Sequence, residues 1–189
     1  MGASQVIAGG PLTGTGGVLA GPLGTALPTD ETTALNVALK AQGYVGDDGL
    51  TMKIDRKTEK IRAWGGDTVK VIQTEHSVEF ELDFLETNTE VLKQFFGSSN
   101  VTTTAATASS GTKNKVTLNA ATLPPQVYVF EMKDGNARIR VVLPNAQITE
   151  NSDVKFTSKD AIGYGVKLEA LPDALGNKAY IYSNDGLTV

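Results

Sequence analysis

The alternation of apolar and charged positions is clearest over residues 76–84 (HSVEFELDF), where the even positions from 78 to 84 are apolar and the residues between them are acidic. Because successive side chains of a β-strand point to opposite faces, this pattern predicts a strand with one buried and one solvated face. Shorter strands, separated by Gly, Pro, Asn and Asp, are predicted at 68–73, 115–118, 154–158, 164–171 and 179–182.

A long β-hairpin is predicted where two alternating runs, 126–133 and 137–150, are joined by Asp134-Gly135-Asn136. Asp-Gly favours a tight turn because the turn needs positive φ. Pro144 should fall at a bulge or a strand edge, where its missing N–H leaves no ladder bond unmade. Residues 101–112 (VTTTAATASSGT) are low in complexity and predict an exposed hairpin or a mobile loop.

One helix is predicted between residues 87 and 97. Asn88 or Thr87 can cap it, Glu90 lies in the favourable first turn, and Gly97 ends it. Its apolar stripe, which should pack against a sheet, consists of Val91, Leu92, Phe95 and Phe96. Residues 30–41 (DETTALNVALKA) fit either a short helix or an extended connector. These elements together predict a mainly β protein.

The first 36 residues differ from the rest of the chain because they contain no Lys, Arg or aromatic residue and are rich in Gly and Pro. Gly and Pro break any helix, yet the segment is too apolar for a freely solvated linker. Fully extended it can reach up to about 120 Å, whereas the remaining domain should have a radius of gyration near ~15 Å. We therefore expect residues 1–36 to be an extended assembly arm that lies on a neighbouring molecule, and residues 37–189 to be the folded domain. The apolar residues of that arm are Val6, Ile7, Leu12, Val18, Leu19, Leu23 and Leu27.

Composition removes several classes of function. The absence of Cys excludes disulfides and thiol chemistry and suits synthesis in a reducing cytoplasm. A net charge of -4 and a pI near 5.0 argue against a surface that grips phosphates. No apolar run reaches the ~18 residues that span a bilayer, and no basic segment precedes an apolar run, so we expect neither membrane insertion nor a secretory signal.

Candidate catalytic and metal-binding groups are few. His76 is the only histidine and begins the strand 76–84, which favours a structural role over a catalytic one. The run Gly46-Asp47-Asp48-Gly49 lacks the alternating oxygen ligands and the closing Glu of a calcium loop, and it predicts a plain turn. The sequence therefore predicts no enzyme activity, no cofactor and no metal site.

Acidic side chains share one face of the strand predicted at 76–84 and continue before it, at Glu75, Glu79, Glu81 and Asp83. In a lone domain this face would be the solvated side of a half-buried strand. If several copies form a ring, the same face would line a negatively charged pore. A basic cluster over residues 53–62 is interspersed with Asp55 and Glu59, which favours a mixed solvated or inter-subunit face over a nucleic-acid site.

Four short motifs in a specific order resemble the major tail tube proteins of bacteriophages with long non-contractile tails. They are residues 22–30 (PLGTALPTD), 43–50 (GYVGDDGL), 63–67 (AWGGD) and 73–77 (QTEHS), the last leading into the alternating strand. The likeness covers roughly the first half of the chain, whereas the second half matches mainly in its strand pattern. The resemblance implies an antiparallel β-sandwich or barrel with one flanking α-helix, related to the tube proteins of contractile tails and type VI secretion systems.

The resemblance also implies a structural virion protein, made in the bacterial host cytoplasm, whose hexameric rings stack into a hollow tail tube. Double-stranded DNA would pass through this tube during ejection without specific binding. The partners would be other copies of the chain, the tape-measure protein and the tail end-capping proteins. An acidic wall repels DNA phosphates whereas a basic wall holds them. Glu75, Glu79, Glu81 and Asp83 thus become candidates for the lumen wall, a position that the strand 137–150 could share or take.

Two other classes fit parts of the sequence. A non-catalytic β-sandwich binding module, such as a virion decoration or adhesin-like domain, explains the strands but not the apolar arm, and Trp64 is the only tryptophan for a sugar-binding face. A hydrolase would use the pair Glu79 and Glu81, which lie ~7 Å apart along one strand face, but no cleft signature accompanies them. Self-assembly is the property that separates these classes.

Overall fold

A computed structural model describes residues 6–14 and 16–187 of the chain. The strands in these residues pair antiparallel throughout. They are β1 (Gly10–Pro11), β2 (Val18–Pro22), β3 (Lys40–Ala41), β4 (Thr51–Arg62), β5 (Thr68–Phe84), β6 (Val101–Thr104), β7 (Lys113–Val116), β8 (Gln126–Asp134), β9 (Ala137–Asn151), β10 (Tyr164–Ala170) and β11 (Tyr180–Asn184). The α-helix α1 (Thr89–Phe96) is followed by a 3-10 turn at Ser98–Asn100. The prediction of a mainly β fold with antiparallel sheets and one α-helix is confirmed.

The main sheet has the order β3-β2-β8-β9-β10-β5-β4, with β1 also on β8 and β11 also on β9. The long strand β9 changes its partner on one edge, from β11 at residues 138–142 to β10 at residues 146–151. Pro144 lies between these two stretches, where the β8–β9 register also shifts. This is the predicted bulge position, where a residue without an N–H breaks no ladder bond. The predicted turn between β8 and β9 is also present, with Gly135 at φ 56°.

The main core is formed by apolar side chains of β2, β5, β8, β9 and β10 together with helix α1. Its largest fully buried side chains include Phe80, Phe84, Phe130, Leu143 and Leu168. A smaller cluster, formed by Leu39, Val127, Val129 and Val142, lies on the opposite face of β8 and β9. Residues of the segment between β2 and β3 cover that second cluster, so β8 and β9 are buried on both sides.

Helix α1 begins and ends where the sequence predicts. The Asn88 side chain accepts a hydrogen bond from the Val91 N–H at 2.8 Å, and Gly97 ends the helix with φ 93°. Val91, Leu92 and Phe95 are buried in the main core. The helix therefore packs one face on the sheet because its apolar residues recur at helical spacing.

Residues 30–39 form a connector that leads into β3, which decides between the two alternatives predicted for residues 30–41. The Asp30 carboxylate accepts hydrogen bonds from the backbone N–H groups of Thr32 (2.7 Å) and Thr33 (2.5 Å), which makes a turn where a helix would have started. Residues 101–116 form the β6–β7 hairpin, one of the two predicted forms. The predicted strand 154–158 is absent, and Phe156 is 77% exposed there.

Part of the predicted N-terminal arm belongs to the chain's own sheet. Strand β2 pairs with β8 over five residues, and Val18 and Ala20 are buried. The expected departure of this segment from its own domain is therefore not seen for residues 18–22 of the single chain. Position 21 favours glycine because a Cβ there would lie only 2.9 Å from the Ala38 carbonyl oxygen, and Pro22 is the last residue of the strand. The boundary at residue 36 and the role of the arm in assembly stay predictions, and residues 1–5 lie outside the described residues.

Candidate assembly surface and acidic face

The hairpin β4–β5 extends beyond the rest of the sheet. Strand β10 pairs with β5 only over residues 79–84, whereas β4 pairs with β5 as far as residues 62 and 68. Residues 56–75 are all exposed, and we call them the ribbon. Within residues 6–14 and 16–187, no third element lies against either face of this two-stranded ribbon, so its side chains are exposed for contact with another molecule.

The tip of the ribbon is a tight turn that presents a tryptophan. The Ala63 N–H donates to the Asp67 carbonyl at 2.8 Å and the Gly66 N–H donates to the Ala63 carbonyl at 2.9 Å, with Gly66 at φ 92°. The Trp64 side chain is fully exposed. The other exposed large apolar residues of the ribbon are Ile61, Val69, Val71 and Ile72. An isolated two-stranded hairpin is marginally stable in water, and clustered exposed apolar side chains mark an interaction surface.

The base of the ribbon is fixed to the domain by Lys178. Its Nζ donates to the His76 carbonyl at 2.7 Å and lies 3.4 Å from the Glu169 carboxylate. His76 itself lies opposite Arg56 in the hairpin register. These contacts hold the point at which the ribbon leaves the sheet, which fixes the direction in which the ribbon projects.

Strands β4, β5 and β10 and the end of β9 share a polar face opposite the core, which we call the acidic face. Lys53 lies opposite Glu79, and Lys167 lies opposite both Glu81 and Glu150. The carboxylates of this face are Asp55, Glu75, Glu79, Glu81, Asp83, Glu150 and Glu169, and its lysines are Lys53, Lys57, Lys167 and Lys178. Because carboxylates outnumber lysines, the face keeps a net negative charge.

Glu79 is the most strongly paired carboxylate of this face. Burial acts to raise the pKa of Glu79, but hydrogen bonds from Lys167 and Lys53 outweigh it and hold the pKa below its ordinary value. The Nζ atoms lie 3.3 Å and 3.4 Å from the carboxylate. On the ribbon, Glu75 accepts a hydrogen bond from Lys57 at 2.6 Å, and this bond raises the pKa of Lys57.

Glu81 and Asp83 are exposed and line a polar cleft of about 530 Å³. Asp48 and Glu150 also face this cleft, and Lys167 is the cation among its lining residues. The structure thus brings together Glu79, Glu81 and Asp83 of the predicted set. Glu75 lies on the ribbon, farther along β5. Their place on a lumen wall stays a prediction.

The predicted arm residues fall into three groups. Val18 lies in the main core, whereas Leu19 and Leu27 pack against the second cluster. Val6 and Leu23 are exposed, at 80% and 52%. Ile7 and Leu12 are half-buried. The exposed and half-buried residues near the N-terminus are the ones available for contacts between copies.

The described residues offer little for catalysis or metal binding. Residues 46–49 form the predicted turn, with the Gly49 N–H donating to the Gly46 carbonyl at 2.9 Å. No group of three or more His, Asp or Glu side chains within residues 6–14 and 16–187 is placed to hold a metal ion. Across the same residues, no helix has the length and apolar character needed to cross a membrane.

Sequence reasoning missed strand β4 and hence the ribbon. Met52 and Ile54 alternate with charged residues at its start, but Lys, Arg and Glu dominate the rest of the strand. The signal that could have found it is the turn Gly65-Gly66-Asp67 between two runs of similar length.

The model of the phage tail tube protein family matches residues 5–188. Among solved structures, the chain is similar at 12% identity and a TM-score of 0.45 to a chain of the sheath-tube complex of an extracellular contractile injection system, PVC, in its extended state, with 74% of this chain and 86% of that chain covered. It is also similar, at 10% identity and a TM-score of 0.48, to the tube-terminating cap of the anti-feeding prophage, with 84% and 92% covered. No curated protein matches the chain. Because the family model spans nearly its whole length, this chain belongs to the phage tail tube protein family.

Proposed function

We propose that the chain polymerises into hexameric rings, and that these rings stack into a hollow tail tube that conducts double-stranded DNA during ejection. The ribbon carries this proposal. It exposes Trp64 and four aliphatic residues on two strands that nothing else in the described chain covers. Contact with a neighbouring copy buries these apolar side chains and stabilises the two-stranded hairpin.

The acidic face supplies the lumen wall in this proposal. Copies arranged around an axis bring their net negative faces together, so that the wall repels phosphates and DNA slides without being held. The salt bridges of Glu79 to Lys53 and Lys167 neutralise part of the face, whereas Glu81 and Asp83 stay exposed at the cleft. The chain in this role is a non-enzymatic virion component made in the host cytoplasm, with the tape-measure and end-capping proteins as further partners.

The experiment is negative-stain electron microscopy of the full chain over a concentration series, with size-exclusion chromatography beside it. We expect hollow tubes or rings from the wild type. The double variant Trp64→Ser, Val69→Ser should remain monomeric and folded, with at least a tenfold loss of sedimentable polymer.

A matched control removes apolar side chains that are equally exposed but lie in other loops. Val37 and Leu175 are 86% and 81% exposed, so Val37→Ser, Leu175→Ser deletes a similar surface without touching the ribbon. This control should form tubes like the wild type. Tubes from the ribbon variant at wild-type concentration would contradict the role of the ribbon, and a wild type that stays monomeric at every concentration would contradict self-assembly.

A further inference from the structure

The segment of residues 6–12 lies along one edge of β8, at the end beyond β2. Gly10 and Pro11 lie opposite Lys133 and Met132, and the Leu12 N–H donates to the Glu131 carbonyl at 3.0 Å. The Ala8 N–H donates to the Asp134 carboxylate at 2.9 Å. The segment therefore covers backbone groups at the end of β8 that β2, which ends its pairing at Phe130, does not reach.

The segment is held far more weakly than β2. No residue between 6 and 14 is buried, whereas Val18 and Ala20 of β2 are buried in the main core. An apolar cleft of about 110 Å³ lies where the segment meets the domain, with Gly9 and Pro11 on one side and Leu50 and Met132 on the other. Poor packing of this kind forfeits dispersion contacts, so the hydrogen bonds to β8 provide most of what fixes the segment.

A kink separates the segment from β2. The Gly16 N–H donates to the Thr13 carbonyl at 3.1 Å, and the Thr13 hydroxyl donates to the Gly16 carbonyl at 2.6 Å. Gly16 has φ 93°, which only glycine adopts readily. Because β1 and β2 follow the same edge of β8 in the same direction, straightening this kink carries residues 6–12 away from their own strand. Residues 6–16 then span up to about 36 Å, more than twice the ~15 Å radius of gyration expected for the domain.

We infer that residues 6–12 exchange between copies on assembly, each segment leaving its own β8 and pairing with residues 131–134 of the next copy. This inference rests on the proposed polymerisation. The acceptor edge fits the segment because it already binds the identical segment within one chain, so exchange replaces each hydrogen bond by an equal one. Around a closed ring every edge is refilled, as in domain swapping. In the free monomer the segment covers its own edge, which prevents uncontrolled edge-to-edge pairing.

The absence of cysteine from the chain allows a direct test. The variant Pro11→Cys, Met132→Cys places two thiols at directly opposed positions. Tubes are assembled under reducing conditions, oxidised, and dissolved in denaturant without reductant. Exchange predicts a ladder of covalently linked dimers and higher multimers. A single band of internally linked monomer would overturn the inference.

The same variant oxidised before assembly supplies a second, independent readout. A disulfide formed in the monomer holds the segment on its own β8. We therefore expect at least a tenfold loss of sedimentable tube, and we expect reductant to restore it. Tubes formed equally well by the locked monomer would contradict the exchange. The matched control Thr104→Cys, Lys113→Cys joins β6 to β7 within one chain, away from the segment and its acceptor edge, and should assemble in both redox states without any ladder. If the wild type forms no tubes by electron microscopy, the proposed function fails and the exchange fails with it. Tubes without a ladder contradict the exchange alone.

Discussion

Arg140 is a buried cation on β9 that joins two distant parts of the chain. It is 4% exposed and donates to the Asp30 carbonyl at 2.6 Å and to the Thr33 carbonyl at 2.8 Å. Its guanidinium also forms an ion pair with Glu131 on β8. Arg140 therefore joins the connector between β2 and β3 to the sheet by polar contacts, in addition to the apolar packing of that connector on the second cluster. The fork geometry of arginine allows all of these bonds at once.

We predict that Arg140→Met destabilises the folded monomer strongly. Removal of the cation leaves the Glu131 carboxylate without its partner and two carbonyl oxygens without a donor, which typically costs about 3–5 kcal/mol for a buried pair. Denaturant unfolding measures this change. The exposed neighbour Arg138 on the same strand is the control, and Arg138→Met should shift the unfolding free energy by no more than about 0.5 kcal/mol. Equal effects of the two substitutions would show that Arg140 is not a structural fastener.

Asp30 gives the monomer a defined acid sensitivity. Hydrogen bonds from the Thr33 side chain and from the backbone N–H groups of Thr32 and Thr33 hold the pKa of Asp30 well below its usual range. The folded chain thus binds this proton more weakly than the unfolded chain, whose Asp pKa is near ~3.9. The stabilisation is complete above that value and is lost as the pH falls below it.

Thermal melts between neutral pH and pH ~2 test this linkage. The wild-type Tm should fall on acidification, and Asp30→Asn should flatten that fall because an amide oxygen accepts hydrogen bonds without titrating. Glu31, Glu79 and Asp173, whose pKa values are also lowered by hydrogen bonds, contribute to the slope that remains. Curves of identical slope for the two proteins would contradict the assignment.

Among the elements, the ribbon should be the least stable in the monomer and should gain order from contacts between copies. Its backbone bonds are exposed on both faces, so local opening costs little free energy. We predict that the amides of residues 56–62 and 68–75 exchange hydrogen rapidly in the monomer and at least tenfold more slowly in tubes. The amides of β8 and β9, which are buried on both sides, serve as the internal reference. Unchanged exchange in the ribbon after assembly would exclude it from the interface.

The elements that sequence predicted are those whose signals are local. The alternation before Phe84, the Asp134-Gly135 turn and the Asn88 cap each act within a few residues, and β5, the β8–β9 hairpin and α1 follow from them. The sequence does not predict strand β2, because Gly21 and Pro22 are disfavoured in strands. Its burial also depends on pairing with β8, more than 100 residues away in sequence. The run 154–158 was predicted from its pattern alone and finds no partner strand in the sheet.

The acidic face was predictable only in part for the same reason. Sequence identified the carboxylates of β5, which share a face by periodicity. The lysines that pair with them come from β4 and β10, and the register that brings Lys53 and Lys167 to Glu79 depends on long-range pairing. The predicted acidic face is thus a mixed face with a negative excess, and its exposed carboxylates are Glu75, Glu81, Asp83 and Glu150.

At the scale of the whole molecule, the charge of the chain is unevenly placed. The chain as a whole is acidic, with 21 Asp and Glu against 17 Lys and Arg, yet the ribbon carries more basic than acidic residues. In the proposed tube, the acidic face is directed toward DNA and the more basic ribbon toward neighbouring copies. In that tube, a charge change at Glu81 therefore acts on DNA passage and not on the contacts between copies, because Glu81 lies outside the ribbon.

If the acidic face lines the lumen as proposed, Glu81→Lys converts it from a surface that repels DNA to one that retains DNA. Glu81 is exposed at the cleft beside Lys167, so the substitution creates paired cations that recur in every copy around the tube. Such cations neutralise phosphates and release counterions, which makes binding strongly salt-dependent. Assembled tubes are incubated with short linear double-stranded DNA and sedimented. Wild-type tubes should leave the DNA in solution, whereas Glu81→Lys tubes should carry it down at low salt and release it as salt is raised.

Asp160→Lys, the same charge change in an exposed loop between β9 and β10, should behave as the wild type. Equal retention by the two variants would show that the added charge acts from any surface and would contradict the placement of Glu81 on the lumen wall.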